Sequence, residues 1–251
     1  MANKRDRMEN APVILLTGGS QGLGFALTAE LLQQGGAVGF CARTATAVEA
    51  AEQMLKPFGP VTGLVGDIAD SAFRQVFVAE TLAQYGRIDA IVNNASTLGQ
   101  VPMPHVLEST VENDRDVFEV NVFAPLALLR LAAPLMQRQT RSLALTISSD
   151  AAIGGYPGWG IYGASKAAMD LLHRTMAAEM PDFQVYSVDP GDMATAMHQA
   201  ADPDATGLSA PSMVAKQLMP LFAPLFGEQV WPFPSGARLQ VQDGNLVEVS
   251  R

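Results

Sequence analysis

One cysteine, three histidines and few charges are what this 251-residue sequence has little of, and each scarcity excludes something. A lone thiol, Cys41, allows no intrachain disulfide. It suits a reducing compartment, with the cytoplasm as the default location. Cys41 lies in an apolar stretch and reads as a small core residue. The histidines, His105, His173 and His198, have no metal-ligand spacing, and no metal site is expected. Charged residues are 16% and hydrophobic ones 48%, which excludes a disordered chain. Basic residues are outnumbered 16 to 25, and the formal net charge is −9. Such a surface repels nucleic-acid backbones and anionic lipid, so neither nucleic acid nor a membrane is an expected partner. No uninterrupted apolar run reaches the length of a bilayer span. Residues 1–10 are polar, lack a signal-peptide core and read as a disordered tail. Residues 11–251 then form a single domain.

What is there alternates. Short apolar runs at Val13 to Leu16, Val38 to Ala42, Val61 to Val65, Asp89 to Asn93, Leu143 to Ser148 and Gln184 to Val188 read as buried strands. Helical patterns separate them: Leu23 to Leu32, Ala45 to Leu55, Ser71 to Tyr85, Glu112 to Met136 and Tyr162 to Met180. Gly35-Gly36, Pro57, Gly86 and Pro181 end four of these helices. A polar stretch, residues 191–210, precedes a helix from Pro211, and Arg238 to Val241 reads as a last edge strand. Strands apolar on both faces, each followed by a helix, predict an α/β fold: one Rossmann-type, doubly wound domain, its parallel sheet covered on both faces. Ligands bind beyond the carboxyl ends of such strands.

The first such end carries Thr17-Gly18-Gly19-Ser20-Gln21-Gly22-Leu23-Gly24. Glycines at 18, 22 and 24 allow a tight turn and close approach of a pyrophosphate, which the N–H groups of the following helix would hold. The second end reads Phe40-Cys41-Ala42-Arg43, with no carboxylate to bind a ribose hydroxyl and with a guanidinium able to grip a 2′-phosphate. That points to NADP, with NAD as the alternative if Arg43 is merely solvated. Tyr162 and Lys166, four apart, share one helix face, and a nearby ammonium favours a phenolate. Ser149 and Ser148 end the fifth strand, where alternation points them in opposite directions. Asn121 stands four residues before Pro125, which has no N–H for the Asn121 carbonyl and predicts a kink.

Together and in order, these motifs resemble the short-chain dehydrogenase/reductase family over roughly Pro12 to Met197. The Thr-Gly-x-x-x-Gly-x-Gly spacing and Asn93-Asn94-Ala95-Ser96 carry the resemblance, with Tyr-x-x-x-Lys at 162 and 166. It implies a catalytic set of Asn121, Ser149, Tyr162 and Lys166. Tyr162 is the general acid and base, Ser149 holds the substrate oxygen, and Lys166 reaches the nicotinamide ribose. Asn121 organises a water chain to the lysine. It implies a cofactor set of Gly18, Ser20, Gln21, Gly22, Leu23, Gly24, Arg43, Asp67, Ile68, Asn94, Ala95, Pro190, Gly191 and Thr195, besides Tyr162 and Lys166. Asp67 contacts adenine, and the Pro190-Gly191 segment with Thr195 holds the nicotinamide amide. Gln21 departs from the basic residue many NADP-using relatives carry.

Residues 191–210 match a substrate lid. Met193, Met197 and Leu208 give it an apolar face opposite Tyr156 and Trp159, with Leu98 and Val101 beside them. These walls suit an apolar carbonyl compound. The family's terminal Asp-Gly-Gly is replaced by Asp243-Gly244-Asn245, which puts a tail-built tetramer in doubt. The long helix, through Ala127, Leu128, Leu131 and Leu135, and the Tyr162 helix can still pair subunits as a homodimer or homotetramer. The expectation is an NADPH-dependent carbonyl reductase. Three other readings compete: an NAD-dependent alcohol dehydrogenase, a non-catalytic dinucleotide sensor, and an epimerase or dehydratase, for whose larger substrate domain the chain is short.

Overall fold

The computed structural model describes residues 11–227 and 230–249. The tail expected over residues 1–10 lies outside them. Eight strands form one sheet: β1 Val13–Thr17, β2 Ala37–Ala42, β3 Val61–Val65, β4 Ala90–Asn93, β5 Leu143–Ile147, β6 Gln184–Asp189, β7 Arg238–Gln242 and β8 Asn245–Glu248. Their order is β3-β2-β1-β4-β5-β6-β7-β8, and all neighbours are parallel except β7 and β8. The doubly wound expectation holds.

Period-two alternation splits the core between the sheet's faces. Ile14 and Leu16 of β1 join one cluster with Val38 and Phe40; Leu15 joins the other with Cys41, Ile91 and Ala144. Helices α1 Gly22–Gln33 and α2 Ala45–Leu55 cover the first face through Leu27, Leu31, Val48 and Leu55. Helix α3 Ser71–Tyr85 covers the second through Phe77 and Val78. Its ends follow local chemistry: the Asp70 side chain accepts from Ala72 N at 2.8 Å, and Gly86 closes it at φ 77°.

The long helix is interrupted. Helix α4 Val111–Phe118 passes through a π turn, Glu119–Phe123, into α5 Ala124–Met136. The turn lies just ahead of Pro125, where the missing N–H predicts a break. Taken whole, Val111–Met136 is long and apolar enough to cross a membrane by length and composition. Here it is a core helix: Val117, Val122, Leu128, Ala132 and Met136 are buried in the second cluster and elsewhere in the interior. Leu128 is therefore spent inside the chain and is not a subunit-facing residue, whereas Leu131 is 37% exposed.

Helix α6 Gly160–Glu179 packs against α4 and the π turn and carries Tyr162, Lys166 and Met169 inward. Beyond β6 come α7 Ala196–Ala201 and α8 Pro211–Leu218. Strand β7 is not the edge expected of it. Asp243 (φ 49°) and Gly244 (φ 80°) turn the chain tightly, and β8 returns antiparallel as the true edge. Asp243-Gly244, which departs from the family ending, is a hairpin signal.

Candidate active site

The strand order reverses between β1 and β4, so the crevice opens at their carboxyl ends. There Gly18 N and Gly19 N both donate to the Cys41 carbonyl, at 2.9 and 3.2 Å. Gly18 has φ 73°, and a Cβ on Gly24 would meet the Gly18 carbonyl oxygen at 2.2 Å. Gly24 is therefore packing beneath the turn and does not line the cleft. Asn94 staples the turn to β4: its Nδ2 donates to the carbonyls of Thr17 and Gly18, at 2.9 and 3.1 Å. Thr17 Oγ1 accepts from Asn94 N and Ala95 N in return. Gln21 begins α1 without a side-chain cap, which leaves the helix's first N–H groups for a ligand.

A cavity of about 460 Å³ starts at this turn. One arm is lined by Gly18, Ser20, Gln21, Gly22 and Leu23, then by Arg43, Asp67 and Ile68. Arg43 is exposed there, with its guanidinium in no hydrogen bond or ion pair among the described residues. Asp67 Oδ1 accepts from Ala69 N at 2.9 Å. The other arm passes Asn94 and Ala95 to Ser149, Tyr162, Lys166, Pro190, Gly191 and Thr195. Uncapped helix N–H groups, a glycine turn without room for a Cβ and a long cleft fit an extended dinucleotide phosphate.

At the far end, Tyr162 is buried and Trp159 meets it edge-on, with ring centroids 5.6 Å apart. Burial pushes the Tyr162 phenol up to about 12, although the hydroxyls of Ser96 and Ser149 pull the other way. The expectation that Lys166 lowers it is not met in this structure. The ammonium lies 5.4 Å from the ring centroid, and its Nζ donates to the Ile147 carbonyl at 2.9 Å. Burial lowers Lys166 itself to about 8.

Ser148 and Ser149 diverge, as alternation requires. Ser148 Oγ donates to Asp170 Oδ2 at 2.8 Å, while Ser149 Oγ donates to Asp150 Oδ1 at 3.0 Å. Asn121 stands behind the cleft, not in it. Its Oδ1 accepts from Ser96 Oγ and Thr97 N, and its Nδ2 donates to the Thr97 carbonyl and Ser165 Oγ, all within 3.0 Å.

Leu98, Trp159, Met193 and Met197 line the cavity, and His198 joins them. Tyr156 does not: it folds over Gly154, half exposed, with its hydroxyl on Asp150. Val101 is exposed, and Leu208 lies away from the lining. The segment from Gly191 is tied at its base, where Ala194 N donates to the Ser209 carbonyl at 2.9 Å and Ser209 N to the Asp192 carbonyl at 3.0 Å. Sequence reasoning missed Ser96, Thr97, Asp150 and Asp189. Asp150 was visible beside Ser149; the rest are assembled only by folding.

The model of the short chain dehydrogenase family matches residues 12–206, a span that includes the glycine turn and the Tyr162 helix. The chain belongs to the short-chain dehydrogenase family. It is 35% identical over 189 residues to a tropinone reductase-like protein of Erythroxylum coca, covering 73% of this chain and 70% of that one. It is 30% identical over 201 residues to an L-fucose dehydrogenase of Mus musculus, covering 77% and 71%. An alcohol dehydrogenase from Thermococcus sibiricus, solved with 5-hydroxy-NADP, superposes with TM-score 0.81 at 25% identity, over 92% of this chain and 95% of that one. This family member is an oxidoreductase of alcohol or carbonyl substrates that uses a nicotinamide dinucleotide.

Proposed function

We propose that the chain is an NADPH-dependent carbonyl reductase. The observation that carries this reading is the meeting of Tyr162, Ser149 and Lys166 at one end of a cleft whose other end holds Arg43, unpaired among the described residues. When bound, the dinucleotide supplies the hydride. Tyr162 gives its phenol proton to the carbonyl oxygen in reduction and takes it back in oxidation. Ser149 Oγ turns from Asp150 to hold that oxygen. Lys166 spends one N–H on Ile147 and keeps two for the ribose hydroxyls. Asn121 secures the 96–97 loop and Ser165 behind them. Arg43 grips the 2′-phosphate, and Met193 and Met197 close a lid, residues 191–210, over an apolar substrate.

The protein works as a homodimer or homotetramer through the exposed Leu131 of α5 and Leu171 of α6. A buried, lone thiol accords with a cytoplasmic location. Titration with NADPH and with NADH, followed by nicotinamide fluorescence, tests the cofactor reading. Tighter binding of NADPH, lost in Arg43→Ala by roughly tenfold or more, supports it. Tighter NADH binding makes the protein an NAD-dependent alcohol dehydrogenase instead. Binding of neither overturns the enzyme reading itself.

A further inference from the structure

At and behind the cleft the structure buries three charges that the mechanism does not use, Asp189 in its lining and Asp170 and Arg238 behind it. Asp170 lies one helical turn beyond Lys166, on the same face of α6, and is 6% exposed. Arg238, on β7, is 9% exposed. Its Nε donates to Asp170 Oδ2 at 2.9 Å, and its Nη2 donates to the backbone carbonyl of Ser149 at 2.7 Å. Asp170 Oδ2 also accepts from Ser148 Oγ. Asp189, on β6, stands 3.9 Å from Nη2, accepting from Gln240 Nε2 and Gly191 N.

A buried ion pair adds little net stability compared with apolar residues of the same shape. Its position explains it better. A bare Asp170 carboxylate, buried one turn from Lys166, would draw the ammonium down the helix and away from the cleft. Arg238 occupies that carboxylate, and its second arm clamps the residue that carries the catalytic hydroxyl. We propose that Arg238 and Asp170 are positioning residues for hydride transfer, holding the Ser149 backbone and leaving Lys166 free to face the cleft. The proposal rests on the roles given above to Ser149, Tyr162 and Lys166.

The charged and titratable groups around Lys166 are Tyr162 and Asp170 on its own helix, Asp189 on β6, Arg238 on β7, and Asp150 after β5. His173, also on α6, is kept neutral by burial, which lowers it to about 4. Removing the Arg238 charge leaves the site more negative and makes both Tyr162 and Lys166 hold protons longer. Removing the Asp170 charge does the reverse.

The test is the pH dependence of kcat for alcohol oxidation, using purified full-length protein, NADP and the best member of a secondary-alcohol panel. The expected midpoint moves up by about one pH unit in Arg238→Met and down by about one in Asp170→Asn. Arg238→Lys keeps the charge but lacks the planar fork, so its midpoint stays and kcat falls about tenfold. The double variant, Asp170→Asn with Arg238→Met, removes both charges and returns the midpoint to within a few tenths of wild type. If single variants fail to fold, Arg238→Lys and the double variant carry the test. Midpoints that do not move, or that move the same way, in folded variants of an active enzyme overturn the positioning role alone. A wild-type protein that oxidises no alcohol and reduces no ketone with either cofactor overturns the reading beneath it as well.

Discussion

Tyr162 shows how one residue is held in tension. Its hydroxyl must release a proton near neutral pH, yet burial raises it to about 12. Ser96 and Ser149 reach that hydroxyl, but each has one proton and another acceptor, Asn121 Oδ1 or Asp150 Oδ1. The site therefore keeps the phenol protonated, the form that reduction requires. Replacing Tyr162 by Phe is expected to cut kcat by roughly 10²- to 10⁴-fold and to leave NADPH affinity within about threefold. Turnover and cofactor titration on the same sample check this. A Tyr162→Phe enzyme at full speed would remove the tyrosine from the mechanism.

At the scale of elements, the glycine turn depends on packing as much as on ligand access. Gly24 has no room for a methyl group beneath Gly18 and Asn94. Gly24→Ala is expected to displace the turn and weaken NADPH binding by at least about tenfold, with a stability loss of about 1–3 kcal/mol in urea unfolding. The C-terminal hairpin makes a milder case. Gly244 sits at φ 80°, where a side chain is strained, although a Cβ there would meet only Gln217 Nε2 at 3.6 Å, an ordinary contact. Gly244→Ala should cost about 1 kcal/mol and leave cofactor binding alone, since the hairpin does not line the cleft. Equal cofactor loss in both variants would show that the turn does not act locally. Several element ends were legible in the sequence: Gly86 as a stop and Pro125 as a break are local signals. The role of β8 was not, because pairing with β7 is what makes its short sequence a strand.

Across the whole molecule, burial sets the response to acid. His173 is neutral in the fold, its pKa lowered to about 4 by desolvation, against about 6.5 for an unfolded chain. Its Nδ1 faces the Tyr186 carbonyl at 3.2 Å and its Nε2 the Thr146 hydroxyl at 3.0 Å. Between those two pKa values the unfolded state binds the extra proton. Stability is then complete above pH 6.5 and declines as pH falls toward 4, by roughly 3 kcal/mol from this group. Urea midpoints of wild type and His173→Gln, taken from pH 7 to pH 4, should converge as pH drops. Parallel curves would assign the acid sensitivity to other groups.

Periodicity and punctuation, which act within a few residues, were enough to identify the parallel sheet, the glycine turn, the Tyr162–Lys166 face and the family. They could not place Arg238 against Ser149, 89 positions away, nor Asn121 against Ser96 and Ser165. They also assigned Tyr156 to the substrate wall and Leu128 to a subunit face. Packing sent the first to Asp150 and the second into the core. Spacing along a chain records which side chains share an element's face. Which faces then meet, and which charges are left to neutralise one another, depends on contacts that exist only once the sheet has closed around them.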